Sequence, residues 1–184
     1  GKEIDFAVIH FYAPYDKTGD PARMNGLVFA GPTVFRMNVS AIKAEMKKNC
    51  GRILPIAVTE YGTHFGDKIS LSPRISSTEN ALFNGLLLFE MMKDNDFLFA
   101  CNWSLLNNSR FGMITTAPGK VSPRPFYPLF KKLALLGGEA LLETVIDGPS
   151  GAVHPMGNIP ALDSIPYLDA IAAAGSGGGD IHVA

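Results

Sequence analysis

Ile53-Leu54-Pro55-Ile56-Ala57-Val58-Thr59-Glu60-Tyr61-Gly62 is the stretch on which the fold turns. Six almost uninterrupted apolar residues are the composition of a strand covered on both faces, as in a parallel sheet, and the run closes in a carboxylate beside an aromatic ring and a glycine. Two other stretches have the same form. Asp5-Phe6-Ala7-Val8-Ile9 ends in His10, and Phe97-Leu98-Phe99-Ala100-Cys101 ends in Asn102-Trp103. Between the first two, Phe35, Val39, Ile42 and Met46 recur at helical spacing with Lys43, Lys47 and Lys48 interleaved, which predicts a helix from Pro32 to about Lys48 that Gly51 stops. Between the second pair, Ser76 and Glu79 form a capping-box pattern ahead of an apolar helix from Ala81 to Met92, and Pro125 to Leu136 reads as a third helix.

Strand and helix in strict alternation predict a parallel α/β architecture, because a parallel pair needs a crossover and the crossover is usually a helix. Strand cores are expected at about residues 5–10, 53–60 and 97–103, although Pro55 is awkward inside a central strand. His10 to Glu60 is 50 positions and Glu60 to Trp103 is 43, so eight such units would take roughly 370 residues, within the range of a closed (β/α)8 barrel; three units cannot close one. No glycine-rich phosphate loop follows any of the strands, which counts against a nucleotide-binding open sheet. After Gly138 the rhythm changes. Glu139 to Ile146, Ile165 to Ala172 and Ile181 to Val183 read as strands without helices between them, the start of an antiparallel β domain. The expected organisation is a partial barrel over residues 1–137 and an incomplete β-sandwich over 138–184, and a first strand that begins at once after Gly1 predicts a piece of a longer chain.

The 184 residues carry 16 basic and 17 acidic side chains for a net charge of -1, without a basic cluster beyond Lys47-Lys48 or Lys131-Lys132. Nucleic acid is therefore not an expected partner, and no apolar run reaches the ~18 residues of a membrane span. Cys50 and Cys101 are too few for a disulfide scaffold and read as buried free thiols. No metal-binding or nucleophile-elbow motif is present, so no cofactor or metal is expected.

Polar groups at the carboxyl ends of parallel strands point into the catalytic face of a barrel, and here His10, Glu60 and Asn102-Trp103 occupy three successive ends. A carboxylate delivered by a buried strand is costly unless it is paired or used. Glu60 placed there can attack an anomeric carbon, with Tyr61 as an apolar wall for a sugar. His10 and Tyr12, two apart on one strand, reach the same side and can hydrogen-bond the nucleophile or a sugar hydroxyl. His64 reads as a solvated loop histidine, and Phe83, Leu87, Met91 and Met92 read as core.

Ile-His-Phe-Tyr at 9–12, Val-Thr-Glu-Tyr-Gly at 58–62 and Asn-Trp-Ser-Leu-Leu at 102–106 together resemble the sixth, seventh and eighth barrel strands of clan A retaining glycoside hydrolases, most closely family 51 α-L-arabinofuranosidases. Residues 123–131 and 165–172 look like that family's exit from the barrel and its C-terminal β-sandwich. The resemblance implies an enzyme of hemicellulose degradation acting on a carbohydrate substrate, with Glu60 as nucleophile, His10 and Tyr12 beside it and Trp103 in the pocket wall. Thr59 and Tyr61 stand where many members carry an acidic residue and a tryptophan. The family's acid/base lies in an Asn-Glu pair at an earlier strand end, and no such pair occurs here, so that carboxyl group is expected upstream, in a missing N-terminal barrel half, and this segment alone is expected to be inactive. Two other readings remain: another clan A glycosidase, acting on xylosides or glucuronides, and a noncatalytic carbohydrate-binding protein in which Tyr61 and Trp103 stack on sugar.

Overall fold

A computed structural model of the chain describes residues 3–14, 21–64, 76–102, 112–175 and 179–184, with backbone alone over 21–25. Strands β1 (Ala7–Pro14), β2 (Ile56–His64) and β3 (Phe97–Ala100) form a three-stranded sheet in that order, and both pairings are parallel. Helix α1 (Pro21–Cys50) connects the first pair and α2 (Thr78–Met92) lies between β2 and β3. The parallel arrangement agrees with the sequence reading, while its boundaries move.

Pro55 explains one of these shifts. It has no N–H to give the ladder, so β2 starts one residue later at Ile56, while the Pro55 carbonyl still accepts from Ala7 N at 2.9 Å. Helix α1 is longer than expected, because Pro32 does not begin it. The buried stripe Leu27, Ala30, Val34, Phe35 and Val39 runs through Pro32, and burying that face outweighs the loss of one backbone hydrogen bond at Val28 O. The helix thus begins at Pro21, eleven residues ahead of Pro32. Gly51 at φ 72 ends α1 and donates to Lys47 O. For α2 the cap is Ser77 rather than Ser76, its side chain accepting from Asn80 N at 3.2 Å.

The helices cover one face of the sheet. Phe35 meets the Phe11 edge at 5.2 Å and stacks on Phe97 at 5.8 Å, tying α1 to the two outer strands. Phe83, Leu87 and Met91 of α2 are buried in the same core, as expected. On the other face of β1, Val8 is 54% exposed. At the amino-terminal end of the sheet, Lys43 of α1 reaches Asp94 Oδ1 at 2.6 Å and Asp96 Oδ2 at 2.6 Å. Burial opposes the Lys43 charge, but the two carboxylates outweigh it and raise its pKa. Cys50 and Cys101 are free, as expected, but exposed rather than buried: one ends α1, and the other follows the short outer strand β3.

A hairpin that sequence reading missed, β4 (Ile114–Ala117) with β5 (Lys120–Pro123), precedes α3 (Phe126–Ala134), the expected third helix. Its turn is Pro118-Gly119, where Pro presets the first position and Gly119 supplies φ 71 at the second. Beyond it the pairings among the described residues are antiparallel. β6 (Ala140–Leu142), β9 (Ala172–Ala174) and β10 (Ile181–Val183) make one sheet in the order β10-β9-β6, and β7 (Ser150–Val153) pairs with β8 (Leu162–Pro166). The expected strands over 139–146 and 165–172 are therefore shorter or broken, the second by a turn at 167–171.

This β region packs on the helices. Phe29 of α1 meets Tyr167 with ring centroids 5.5 Å apart, and Lys93, just past α2, pairs with Asp169. Between the helices, Arg36 of α1 donates to Glu90 Oε1 of α2 at 3.0 Å. Burial raises the Glu90 carboxyl above its ordinary value of 4.5, against the opposing pull of Arg36 and Lys93. A raised carboxyl favours its neutral form in the fold, so the stability it contributes is full below pH 4.5 and is lost as pH rises through the raised value. Glu90→Gln is expected to gain in melting temperature relative to the native chain between pH 4 and pH 7; a gain that shrinks over that interval would mean that the ion pair with Arg36 outweighs burial. Close approach of α1 to α2 depends on Gly31, where an added Cβ would collide with the fully buried Phe83 ring. Gly31→Ala is expected to cost about 1–3 kcal/mol in urea denaturation, and an unchanged midpoint would contradict that packing.

Candidate active site

Midway along β1 and β2, which run past the expected ends at His10 and Glu60 to Pro14 and His64, the ladder carries an irregularity between Ile9 and His10: Ile9 pairs with Val58, but His10 pairs with Glu60, leaving Thr59 as an extra residue. In a regular strand Thr59 and Glu60 would point to opposite faces. The bulge turns both toward His10. The ring Nε2 shares a 2.9 Å hydrogen bond with Thr59 Oγ1, and Nδ1 stands 3.5 Å from Glu60 Oε2. From two residues further along β1, the Tyr12 hydroxyl donates to the same Glu60 Oε2 at 2.7 Å. Among the described residues no hydrogen bond engages Glu60 Oε1, and the Glu60 side chain is 29% exposed, a carboxylate held by one oxygen with the other open.

Three of the sequence candidates, His10, Tyr12 and Glu60, are thus together. Tyr61 is not with them. Its ring is 2% exposed, turned into the core, so in this structure it supports the strand and does not line the open face. Burial, with a smaller effect from Cys101, pushes its phenol pKa well above the ordinary value, and its hydroxyl has no hydrogen-bond partner among the described residues. Trp103 lies outside the described residues.

Sequence reading undervalued two residues. His64 is the last residue of β2 rather than part of a loop, and its ring meets the Tyr12 ring edge-on with centroids 6.3 Å apart. Its spacing from Glu60, four along the same strand, was the available signal. Asn102 is buried and donates from Nδ2 to Tyr61 O at 2.8 Å, so the third strand end holds the backbone next to Glu60. A buried polar ladder fixes the next residues of β2 to α2: Thr63 Oγ1 donates to Asn80 Oδ1 at 2.6 Å, and Asn84 Nδ2 donates to Asn80 O at 2.7 Å. Among the described residues no cluster of three or more His, Cys, Asp or Glu could hold a metal ion, and no helix is long and apolar enough to cross a membrane.

No protein-family model and no curated protein matches this sequence. Solved structures do. The α-L-arabinofuranosidase of Thermotoga maritima, determined as an arabinose complex, is similar over 98% of this chain and 37% of its own, at 19% identity and a TM-score of 0.66. The family 51 arabinofuranosidase of Xanthomonas axonopodis pv. citri is similar over 99% and 38%, at 18% identity and 0.75. A family 51 α-L-arabinofuranosidase of Bifidobacterium longum is similar over 95% and 38%, at 17% identity and 0.69. The chain has the fold of a segment of these enzymes and spans about 38% of their length.

The orphaned Tyr61 hydroxyl generates an expectation opposite to the usual cost of a tyrosine truncation. A buried donor without an acceptor costs about 1–3 kcal/mol, so Tyr61→Phe should leave stability to urea unchanged or raise it by about 1 kcal/mol. A loss of that size would reveal an acceptor for the hydroxyl.

Proposed function

We propose that this chain is the part of a retaining glycoside hydrolase that carries its nucleophile, Glu60, and that the enzyme is an α-L-arabinofuranosidase acting on arabinose-containing polysaccharides or oligosaccharides. The observation that carries the reading is the Glu60 carboxylate on a parallel strand, gripped at Oε2 by Tyr12 and without a hydrogen bond at Oε1 among the described residues. Fold likeness to family 51 arabinofuranosidases supports the sugar class. On this reading β1, β2 and β3 are the last three strands of a (β/α)8 barrel, residues 1–137 belong to the barrel and 138–184 to a β-sandwich.

Glu60 Oε1 attacks the anomeric carbon as the glycosidic C–O bond breaks, and a second carboxyl group roughly 5–5.5 Å away, from the rest of the barrel, protonates the departing oxygen. That group then takes a proton from water, which attacks the same carbon, frees Glu60 and leaves the configuration retained. Tyr12 holds the carboxylate in line, and its hydrogen bond weakens as charge leaves Oε2. His10 Nδ1, 3.5 Å from the same oxygen, adds a donor when it carries a proton. The retaining mechanism requires both carboxyl groups, so the present chain by itself is not expected to turn over substrate.

The test joins this chain to the remainder of its barrel. The enzyme is expected to retain configuration on an arabinofuranoside, and Glu60→Ala to lose turnover by at least a thousandfold, since the covalent route is gone. With an activated substrate, added azide should partly restore it as an inverted glycosyl azide. Inversion by the unaltered enzyme, or full turnover by Glu60→Ala, would refute the nucleophile; retention with a preference for xylosides or glucuronides would change the sugar alone.

A further inference from the structure

Asn158 lies in the antiparallel region, 146 residues from Tyr12, yet its Nδ2 donates to Tyr12 O at 2.8 Å. Its backbone N–H donates to Pro14 O at 2.7 Å. Carbonyls two residues apart on a strand project to the same side, so one residue grips alternate carbonyls of β1 much as a neighbouring strand would. The grip is built on a firm base. Asn158 and Gly157 form the tip of a two-residue turn closed by reciprocal Met156 and Ile159 backbone bonds, each 2.9 Å, and Gly157 supplies the φ of 57 that such a turn needs. Met156 and Ile159 are 4% and 1% exposed, so the turn is anchored by its flanks while its tip reaches the site.

We infer that Asn158 is a positioning residue: by holding the Tyr12 carbonyl it sets the direction from which the Tyr12 hydroxyl meets Glu60. This rests on the reading of Glu60 as the reacting group only for its catalytic meaning; the geometry stands without it. The Tyr12 peptide plane governs where the Cα–Cβ bond points, and the hydroxyl sits at the far end of the ring. A small rotation at the backbone becomes a displacement of about 1 Å there, enough to break a 2.7 Å hydrogen bond. The Asn158 side chain is exposed and buries nothing, so packing alone gives no reason for an amide at this position. The antiparallel region is then part of the site's construction and not only attached beside it.

The test reads the Tyr12–Glu60 bond directly in the full chain. With tyrosine labelled by carbon-13 at Cζ, the Tyr12 resonance is identified by its loss in Tyr12→Phe, and Glu60→Gln defines its position when the charged acceptor is removed. Asn158→Ala is expected to move the resonance at least a third of the way toward the Glu60→Gln position, and to move it no further when combined with Glu60→Gln. Asn158→Asp, which keeps the shape and loses the donor, should do the same and guards against a folding failure of the alanine variant. An unmoved resonance in a folded variant, or an equal movement in the Glu60→Gln background, overturns the inference. The two readings fail separately: if Asn158 moves Tyr12 while Glu60→Ala in the joined enzyme keeps full turnover, the positioning stands and the glycosidase falls. If Glu60→Ala abolishes turnover while Tyr12 ignores Asn158, the reverse holds.

Discussion

The bulge at Thr59 is the constraint on which the site depends. A parallel ladder alternates its side chains, so a strand end ordinarily offers one functional group per two residues to each face. With one unpaired residue, β2 presents Thr59 and Glu60 together to His10, while Tyr12 keeps the regular spacing of β1 and reaches the same carboxylate oxygen. Removing the irregularity would send either the threonine or the carboxylate to the helix-covered side, where a charge without a partner costs several kcal/mol. The energy of the sheet below pays for that local disruption of the ladder.

The two ends of the sheet solve different electrostatic problems. At the amino-terminal end Lys43 is shared between Asp94 and Asp96, a closed arrangement in which every charge has a partner and which fastens α1 to the turn before β3. At the carboxyl end, neutral groups do the fastening: Thr63, Asn80 and Asn84 join β2 to α2, and Asn102 joins the third strand end to Tyr61 O. Among the described residues, Glu60 meets Tyr12 and His10 and no lysine or arginine. On the proposed function this division is the one expected of a parallel barrel, with stability groups at one rim and reactive groups at the other.

Strand order and parallel pairing were legible in the sequence because each depends on local composition: apolar runs of about six residues, with a helical stripe between them. Boundaries were less so. Whether Pro32 starts a helix or sits inside one depends on whether Leu27 and Ala30 find a surface to bury against, which is a tertiary fact. The bulge was invisible because nothing in Val-Thr-Glu-Tyr says which residue will go unpaired, whereas the inward turn of Tyr61 follows from simple alternation once Glu60 faces out and was legible. The hairpin 114–123 was hidden for another reason: Pro118-Gly119 was readable as a turn, but its flanking strands are only four residues each. Asn158 could not have been found at all, since its role is set by a contact across most of the chain.

That contact also bears on the order in which the site is made. Synthesis runs from the amino end at about 5–20 residues per second, so the 146 residues separating Tyr12 from Asn158 take roughly 7–30 s to add. Throughout that interval β1 and β2 are already available to pair, and Glu60 can find Tyr12, but the carbonyls of Tyr12 and Pro14 have no amide from the later turn. The tyrosine is thus committed to its final direction late on the ribosome, after the strand that bears it. In such a chain a later-made turn sets the geometry of a strand made well before it.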